Sequence, residues 1–271
     1  MNLDSNAPIG IFDSGIGGLT VAKAISDLLP SEQLIYFGDT AHLPYGDKSE
    51  AAIQAFSIKI ADVLLYKGCK AIVLACNSAS SAAYLLLKEY IRDQAMVINV
   101  IDPMVTWVGR ESNYKKVGLI GTKRTVHSNT YAQKFKQQFP HVELRSLATP
   151  LLAPMIEEGF YNNKISHEVI WKYLADSQLA EIQALILACT HYPLIKTEIE
   201  KFYSPPITVV DSSGIVAKHL QQELITNRLL RKETAPAKHQ FLVSDFTEAY
   251  ASAAEVFFRG KVKLDLHRLW N

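Results

Sequence analysis

The stretch PIGIFDSGIGGLT, residues 8–20, decides the fold of this chain. Its first five residues form a short apolar run that predicts a buried strand, and residues 13–18 are rich in turn formers. Apolar residues then recur at helical spacing, at Leu19, Ala22, Ile25, Leu28 and Leu29. A strand, a glycine-rich turn and a helix in this order predict the opening unit of a parallel α/β sheet.

The same alternation continues along the chain. Further apolar runs of strand length occupy residues 34–37, 71–75, 116–120, 184–188, 208–210 and 241–243. Helix-length segments follow most of them, as parallel strands require, and one of these, from Arg124 to Gln138, is predicted to be a single helix. Residues 10–14 resemble residues 118–122, and residues 73–76 resemble 187–189, which indicates a weak internal duplication. We therefore predict an α/β fold of two similar parallel-sheet lobes.

Composition limits the class of partner. The chain has 271 residues, and its 28 basic and 27 acidic residues give a formal net charge of +1. Such a neutral chain creates no field that would attract nucleic acid or an anionic membrane. Three cysteines without a framework spacing favour a reducing compartment, and residues 1–8 lack the features of a signal peptide. We expect a cytoplasmic protein that acts on a small molecule.

Four residues lie where predicted strands end. These are Asp13, Cys76, Thr122 and Cys189. Ligands of parallel α/β sheets bind outside the carboxyl ends of the strands. If the two lobes face each other, all four residues line one cleft.

Cys76 precedes Asn77, Ser78 and a predicted helix. Free backbone N–H groups and the helix dipole at such a position favour an anion, whether a thiolate or a substrate carboxylate. The alternative is purely structural: a buried cysteine that acts as a small hydrophobe, with Asn77 and Ser78 as helix caps.

Cys189 repeats this arrangement, with Thr190 and His191 after it. A histidine titrates near neutral pH, so His191 can assist proton movement at the thiol, unless it only donates to a backbone carbonyl. Two cysteines at matching positions favour a chemical role for both. Cys69 has no such setting, and we expect it to be packed in the core.

Residues 13–18 also resemble part of a dinucleotide fingerprint, which would indicate a nicotinamide enzyme. Thr20 stands at the third glycine position, however, and the Asp13 carboxylate would repel a pyrophosphate. Asp13 is better placed to modulate the protonation of a thiol, or else to satisfy amides of its own turn. In the next loop, Tyr45 and Gly46 either bind a polar ligand tail or form a rigid turn.

Four motifs occur in a fixed order: GIFDSGIGG (10–18), YFGDTA (36–41) with PYG (44–46), ACNSAS (75–80) and CTHYP (189–193). Together they resemble the aspartate/glutamate racemase superfamily and, within it, the glutamate racemases. The motifs span most of the chain, and their shared order is far more specific than any single motif.

The resemblance implies two α/β domains around the substrate, with the end of the chain returning to the first domain. We place the first domain at residues 1–98 and 212–271 and the second at 99–211. The implied reaction is a 1,1-proton transfer that interconverts L- and D-glutamate without cofactor or metal. Cys76 and Cys189 would be its acid and base.

The resemblance also assigns supporting roles. Asp13 and His191 would assist the cysteines together with a glutamate, for which we prefer Glu157 over Glu158. The residues expected to bind the amino acid, with Thr122 as a further contact, are Asp13, Ser14, Tyr45, Gly46, Asn77, Ser78, Thr190 and His191.

The family usually supplies D-glutamate for peptidoglycan and often forms homodimers, so we expect both here. Dependence on a cell-wall precursor as activator stays open. Two alternatives besides the nicotinamide enzyme remain: a racemase for aspartate or another acidic amino acid, and a non-catalytic module that binds an amino acid or nucleotide. A binding module, however, would need neither thiol.

Overall fold

The computed structural model describes residues 3–110, 114–232 and 237–270. In chain order, the strands are β1 Ile9–Asp13, β2 Leu34–Gly38, β3 Ala71–Leu74, β4 Met96–Asn99, β5 Lys116–Gly121, β6 Glu143–Ala148, β7 Ala184–Ala188, β8 Thr208–Asp211, β9 Gln240–Val243 and β10 Leu264–Leu266. The helices are α1 Leu19–Leu28, α2 Glu50–Tyr66, α3 Asn77–Ile91, α4 Ile101–Arg110, α5 Lys123–His127, α6 Thr130–Gln138, α7 Leu152–Glu157, α8 Lys164–Leu174, α9 Lys196–Phe202, α10 Ser212–Thr226 and α11 Glu248–Phe258.

The strands form two sheets in which every pair is parallel. The first sheet has the order β10-β9-β2-β1-β3-β4, and the second has the order β6-β5-β7-β8. The prediction of an α/β fold with two parallel sheets is therefore confirmed. Four strands of the first sheet, β2-β1-β3-β4, match the whole of the second in relative order, which is the relation that an internal duplication produces.

The apolar runs form strands that are covered on both faces in the interior of the sheets. Every residue of β1, β2, β3 and β7 is buried, as expected for parallel strands with helical crossovers on both faces. The strands β9 and β10 belong to the first sheet although they follow the second in sequence. The domain boundaries at residues 98/99 and 211/212 stay a prediction.

Some elements differ from the sequence prediction. The strands β4, β6 and β10 have no predicted counterpart; β6 lacks an apolar run because its residues are only partly buried or exposed. The single helix predicted from Arg124 to Gln138 is two helices, α5 and α6. Asn129 separates them with a left-handed backbone (φ 59°), a conformation that asparagine adopts more readily than most residues.

In the described ranges, no helix combines the length and the apolar character that crossing a membrane requires. The three cysteines are all buried and all free thiols.

Candidate active site

One cleft collects the carboxyl ends of strands from both sheets. Asp13 ends β1, and Cys76, Thr122 and Cys189 follow β3, β5 and β7 within two residues. The cleft holds about 410 Å³ of empty space, part of it open to solvent. Its lining residues are Ser14, Leu43, Pro44, Tyr45, Gly46, Cys76, Asn77, Ser78, Thr122, Ala153, Pro154, Glu157, Ala188, Cys189, Thr190 and His191. The predicted convergence of the two thiols on one cleft is thus present in the fold.

Cys76 lies at the N-cap of α3. Its Sγ accepts from the Ala79 N–H at 3.5 Å and lies 3.7 Å from the Ser14 hydroxyl oxygen. The alternative in which Asn77 and Ser78 cap the helix is therefore wrong, because the side chain of Cys76 is the cap. Burial, and then the charge of Asp13, raise the pKa of the Cys76 thiol to about 12, although the Ala79 and Ser14 hydrogen bonds lower it. Cys76 is a neutral thiol at neutral pH and can act as an acid.

Cys189 has different neighbours. Its Sγ lies 3.6 Å from Nδ1 of His191, whose Nε2 lies 2.8 Å from Oε1 of Glu157. Burial lowers the pKa of His191, but hydrogen bonds to Cys189 and Glu157 and their charges raise it well above its ordinary value. His191 is therefore placed to exchange a proton with the Cys189 sulfur. The two thiols have different neighbours: a backbone amide and a serine at Cys76, and a histidine held by a glutamate at Cys189.

The structure separates the two neighbouring glutamates. Glu157 ends α7, lines the cleft and contacts His191, whereas Glu158 is exposed. Side chains at successive positions along a helix point about 100° apart, so Glu157 and Glu158 have different surroundings at the end of α7. The geometry agrees with the preference for Glu157.

We expect Glu157→Gln to lower the pKa of His191, because the glutamate charge and hydrogen bond raise it. A raised folded-state pKa stabilises the fold fully below the unfolded value of about 6.5, and this stabilisation is lost as the pH rises through the folded-state pKa. The variant should therefore be less stable than the parent by its full amount at pH values below about 6.5, and the difference should disappear as the pH rises through the folded-state pKa of His191. NMR titration of His191 and denaturant unfolding measure the two effects.

Glu158→Gln is the matched control, because it removes the same charge one residue away from a side chain that is exposed. It should leave the His191 titration nearly unchanged. An equal shift of the His191 pKa in both variants would contradict the assignment of Glu157 as the partner.

Asp13 is fully buried beside the cleft. Its carboxylate accepts from the N–H groups of Gly15 (3.2 Å) and Gly18 (3.0 Å) and from the Thr190 hydroxyl (3.3 Å). Burial raises the pKa of Asp13, whereas the charge of His191 and these hydrogen bonds lower it. Because the carboxylate occupies the backbone amides of the glycine-rich turn, the turn does not offer them to a pyrophosphate, which argues against the nicotinamide enzyme.

The residues predicted to bind the amino acid lie together. Ser14, Tyr45, Gly46, Asn77, Ser78, Thr190 and His191 line the cleft. The prediction that Asp13 also lines the cleft is wrong, because this residue is fully buried and its carboxylate is hydrogen-bonded to the glycine-rich turn. The hydroxyl of Tyr45 donates to Asp39 at 2.6 Å, so this group is already engaged within the protein. The Ser78 hydroxyl lies 2.8 Å from that of Thr122, and this contact joins the ends of β3 and β5 across the cleft.

Two side chains that contact residues of the site carry no signal in the sequence. Phe257 of α11 packs edge-on against the His191 ring, with centroids 5.2 Å apart. Tyr131 of α6 donates to Oδ1 of Asn77 at 2.8 Å. Both come from helices remote in sequence from the residues they contact, so no local motif could have indicated them. A cluster of three or more metal-ligating side chains is not found within residues 3–110, 114–232 and 237–270.

Comparison with known proteins agrees with this geometry. A family model described as Asp/Glu/Hydantoin racemase matches residues 19–220, most of the chain. The glutamate racemase of Geobacter metallireducens is 38% identical, over 94% of this chain and 93% of that protein. The Francisella tularensis glutamate racemase, solved in complex with D-glutamate, has a TM-score of 0.91 and 39% identity, covering 98% of both chains. The chain therefore belongs to the glutamate racemases of the Asp/Glu/Hydantoin racemase family.

A more distant likeness concerns the fold alone. Escherichia coli glutamate racemase, solved with L-glutamate and the activator UDP-MurNAc-ala, is 23% identical and covers 97% of this chain and 99% of that chain, with a TM-score of 0.78.

Proposed function

We propose that this protein is an isomerase that interconverts L- and D-glutamate by moving the α-proton, without a cofactor. One observation carries the proposal: Cys76 and Cys189 are free thiols, only 6% and 7% exposed, at the ends of β3 and β7 on one cleft. Racemisation needs a base on one face of the α-carbon and an acid on the other, and a thiolate with a neutral thiol supplies both.

In one direction, the Cys189 thiolate takes the α-proton and the resulting carbanion takes a proton from the Cys76 thiol. The C–H bond that breaks and the one that forms lie on opposite faces, so the configuration inverts. The two cysteines have then exchanged protonation states, which is the state required for the reverse reaction. His191, held by Glu157, stabilises the thiolate at Cys189, and Asp13 holds the glycine-rich turn and Thr190 in place.

Glutamate is the substrate that the relatives support, since the Geobacter and Francisella proteins are glutamate racemases and the latter is solved with D-glutamate. Buried hydroxyl and amide groups of the cleft suit its two carboxylates. We propose that Ser14, Asn77, Ser78 and Thr190 donate to them, with Gly46 and Tyr45 shaping one wall and Thr122 supporting Ser78.

The wider role follows from the same reaction. We propose that the protein works in the cytoplasm, supplies D-glutamate for peptidoglycan and forms a homodimer. The E. coli protein was solved with a cell-wall precursor as activator, and whether this chain responds to such a precursor is testable by adding one to the assay.

Deuterium exchange at the α-carbon of L- and D-glutamate in heavy water, without added cofactor, tests the proposal. We expect inversion with deuterium incorporation for glutamate and little reaction with aspartate run in parallel. Activity on aspartate instead would keep the two-thiol mechanism and overturn the substrate. Binding of glutamate without exchange would support the alternative of a non-catalytic binding module.

A further inference from the structure

The amide of Asn77 is satisfied at one end only. Its Oδ1 accepts from the Tyr131 hydroxyl at 2.8 Å. Its Nδ2 is buried and has no hydrogen-bond partner among the residues that the structure describes. Asn77 is 2% exposed and lines the cleft, which Tyr131 does not. A buried amide N–H₂ without a partner is costly, so a ligand that accepts from it would recover a missing interaction.

An asparagine amide has two orientations that differ by exchange of oxygen and nitrogen, and its neighbours select one of them. Tyr131 is 3% exposed, and its hydroxyl has no other hydrogen-bond partner within the described ranges. With Oδ1 toward Tyr131, the buried hydroxyl proton is satisfied; with Nδ2 toward Tyr131, that proton would have no acceptor. Burial also raises the pKa of Tyr131, so the hydroxyl stays protonated and remains a donor.

The orientation decides which end of the amide is left without a partner inside the protein. With Oδ1 held by Tyr131, the donor Nδ2 is the free end of the amide, and a carboxylate accepts well from it. In the reversed orientation an amide oxygen would oppose the carboxylate instead. Asn77 follows β3 of the first sheet, and Tyr131 lies on α6 after β5 of the second sheet. The donor is thus oriented by a contact that joins the two sides of the cleft.

We propose that Tyr131 is a positioning residue, which orients the Asn77 amide so that Nδ2 donates to a carboxylate of the bound amino acid. The proposal rests on the proposed function, because it takes glutamate as the ligand. Tyr131 itself does not line the cleft. Its whole effect should therefore pass through Asn77.

Tyr131→Phe tests this, because it removes the hydroxyl and keeps the ring. We expect the KM for glutamate to rise about tenfold, which corresponds to about 1.4 kcal/mol, because a hydrogen bond to the charged carboxylate is weakened when its donor is no longer oriented. The pH dependence of kcat should be unchanged, because neither thiol is touched. Tyr114→Phe is the matched control: its hydroxyl donates to Thr208 at 2.9 Å, away from the cleft, and its loss should leave KM unchanged.

A double-mutant cycle distinguishes positioning from general destabilisation. In an Asn77→Ala background, Tyr131→Phe should change KM less than about twofold, because the amide through which it acts is gone. An equal rise in KM in both backgrounds, or an unchanged KM in Tyr131→Phe alone, would overturn the proposal.

Calorimetry measures the binding of D-glutamate to the parent, the Tyr131→Phe and Asn77→Ala variants and the double variant. These measurements distinguish a failure of the positioning role from a failure of the proposed reaction. A parent protein that binds glutamate but does not racemise it would defeat the proposed reaction, while the Kd values would still show the predicted coupling. Racemisation by the parent without coupling between Tyr131 and Asn77 would defeat only the positioning role. Failure of the parent to bind glutamate at all would overturn both.

Discussion

Cys76→Ala and Cys189→Ala should each lower the rate of glutamate racemisation by about 10³-fold, because each removes one of the two proton-transfer groups. No other thiol lines the cleft, and the neighbouring hydroxyl of Ser14 is too weak an acid or base to replace Cys76. Chiral chromatography of L- and D-glutamate after incubation measures the loss. Full activity in either variant would defeat the two-thiol mechanism.

Each single variant keeps one thiol and can still exchange deuterium on one face. We therefore expect slow exchange with retention from the enantiomer whose α-proton faces the remaining thiol, and none from the other. Cys69→Ala is the control: this thiol is 2% exposed, does not line the cleft, and its pKa is raised to about 12 by burial. The Cys69 variant should retain activity.

Gly17→Ala should lower activity by about 10²-fold, because an added Cβ would lie 2.6 Å from Nδ1 of His191 and 2.6 Å from Oγ1 of Thr190. His191 is held by Glu157 and packed against Phe257, so it cannot move away freely. A misplacement of about 1 Å near reacting groups costs about this much in rate. Overpacking should also lower the free energy of unfolding by about 1–3 kcal/mol.

Gly214→Ala provides the matched comparison. Gly214 lies in α10, and apart from the chain neighbours and the backbone of that helix, no atom of the described residues lies within 4 Å of the position of an added Cβ. Alanine there should raise stability by about 0.4–1 kcal/mol and leave kcat and KM unchanged. If Gly17→Ala behaved like Gly214→Ala, the glycine-rich turn would not be set by its contact with His191 and Thr190.

The sequence predicted most of the sheet framework because buried parallel strands are continuous apolar runs. Residues 184–188 were predicted with the bounds that the structure shows. The strands β6 and β10 escaped prediction for a physical reason: β6 lies at the edge of its sheet and is only partly buried, and β10 has three residues, one of them Asp265. Such strands depend on pairing with a neighbour, which a local pattern does not contain.

The candidate site shows the same limit. The thiols and Asp13 were located from sequence because they directly follow apolar runs, and parallel strands bring their carboxyl ends to one edge. The side chains that contact Asn77 and His191 could not be located in this way, because Tyr131 and Phe257 reach them from α6 and α11 through tertiary packing alone. The residues themselves also do not show whether Glu157 or Glu158 reaches the cleft. The apolar pattern around α7 does not indicate which side of this short helix faces the site.

The two thiols have unequal surroundings, but the equilibrium between the enantiomers limits how this difference can appear in the kinetics. L- and D-glutamate are mirror images with equal free energy in water, so their interconversion has an equilibrium constant of one at every pH. The ratio kcat/KM must therefore be the same in both directions, even though a backbone amide and a serine flank Cys76 while a histidine flanks Cys189. The chemical asymmetry can appear only as kcat and KM that differ between the enantiomers by one common factor. Net flow toward D-glutamate must then come from its consumption, because the catalyst itself has no thermodynamic preference.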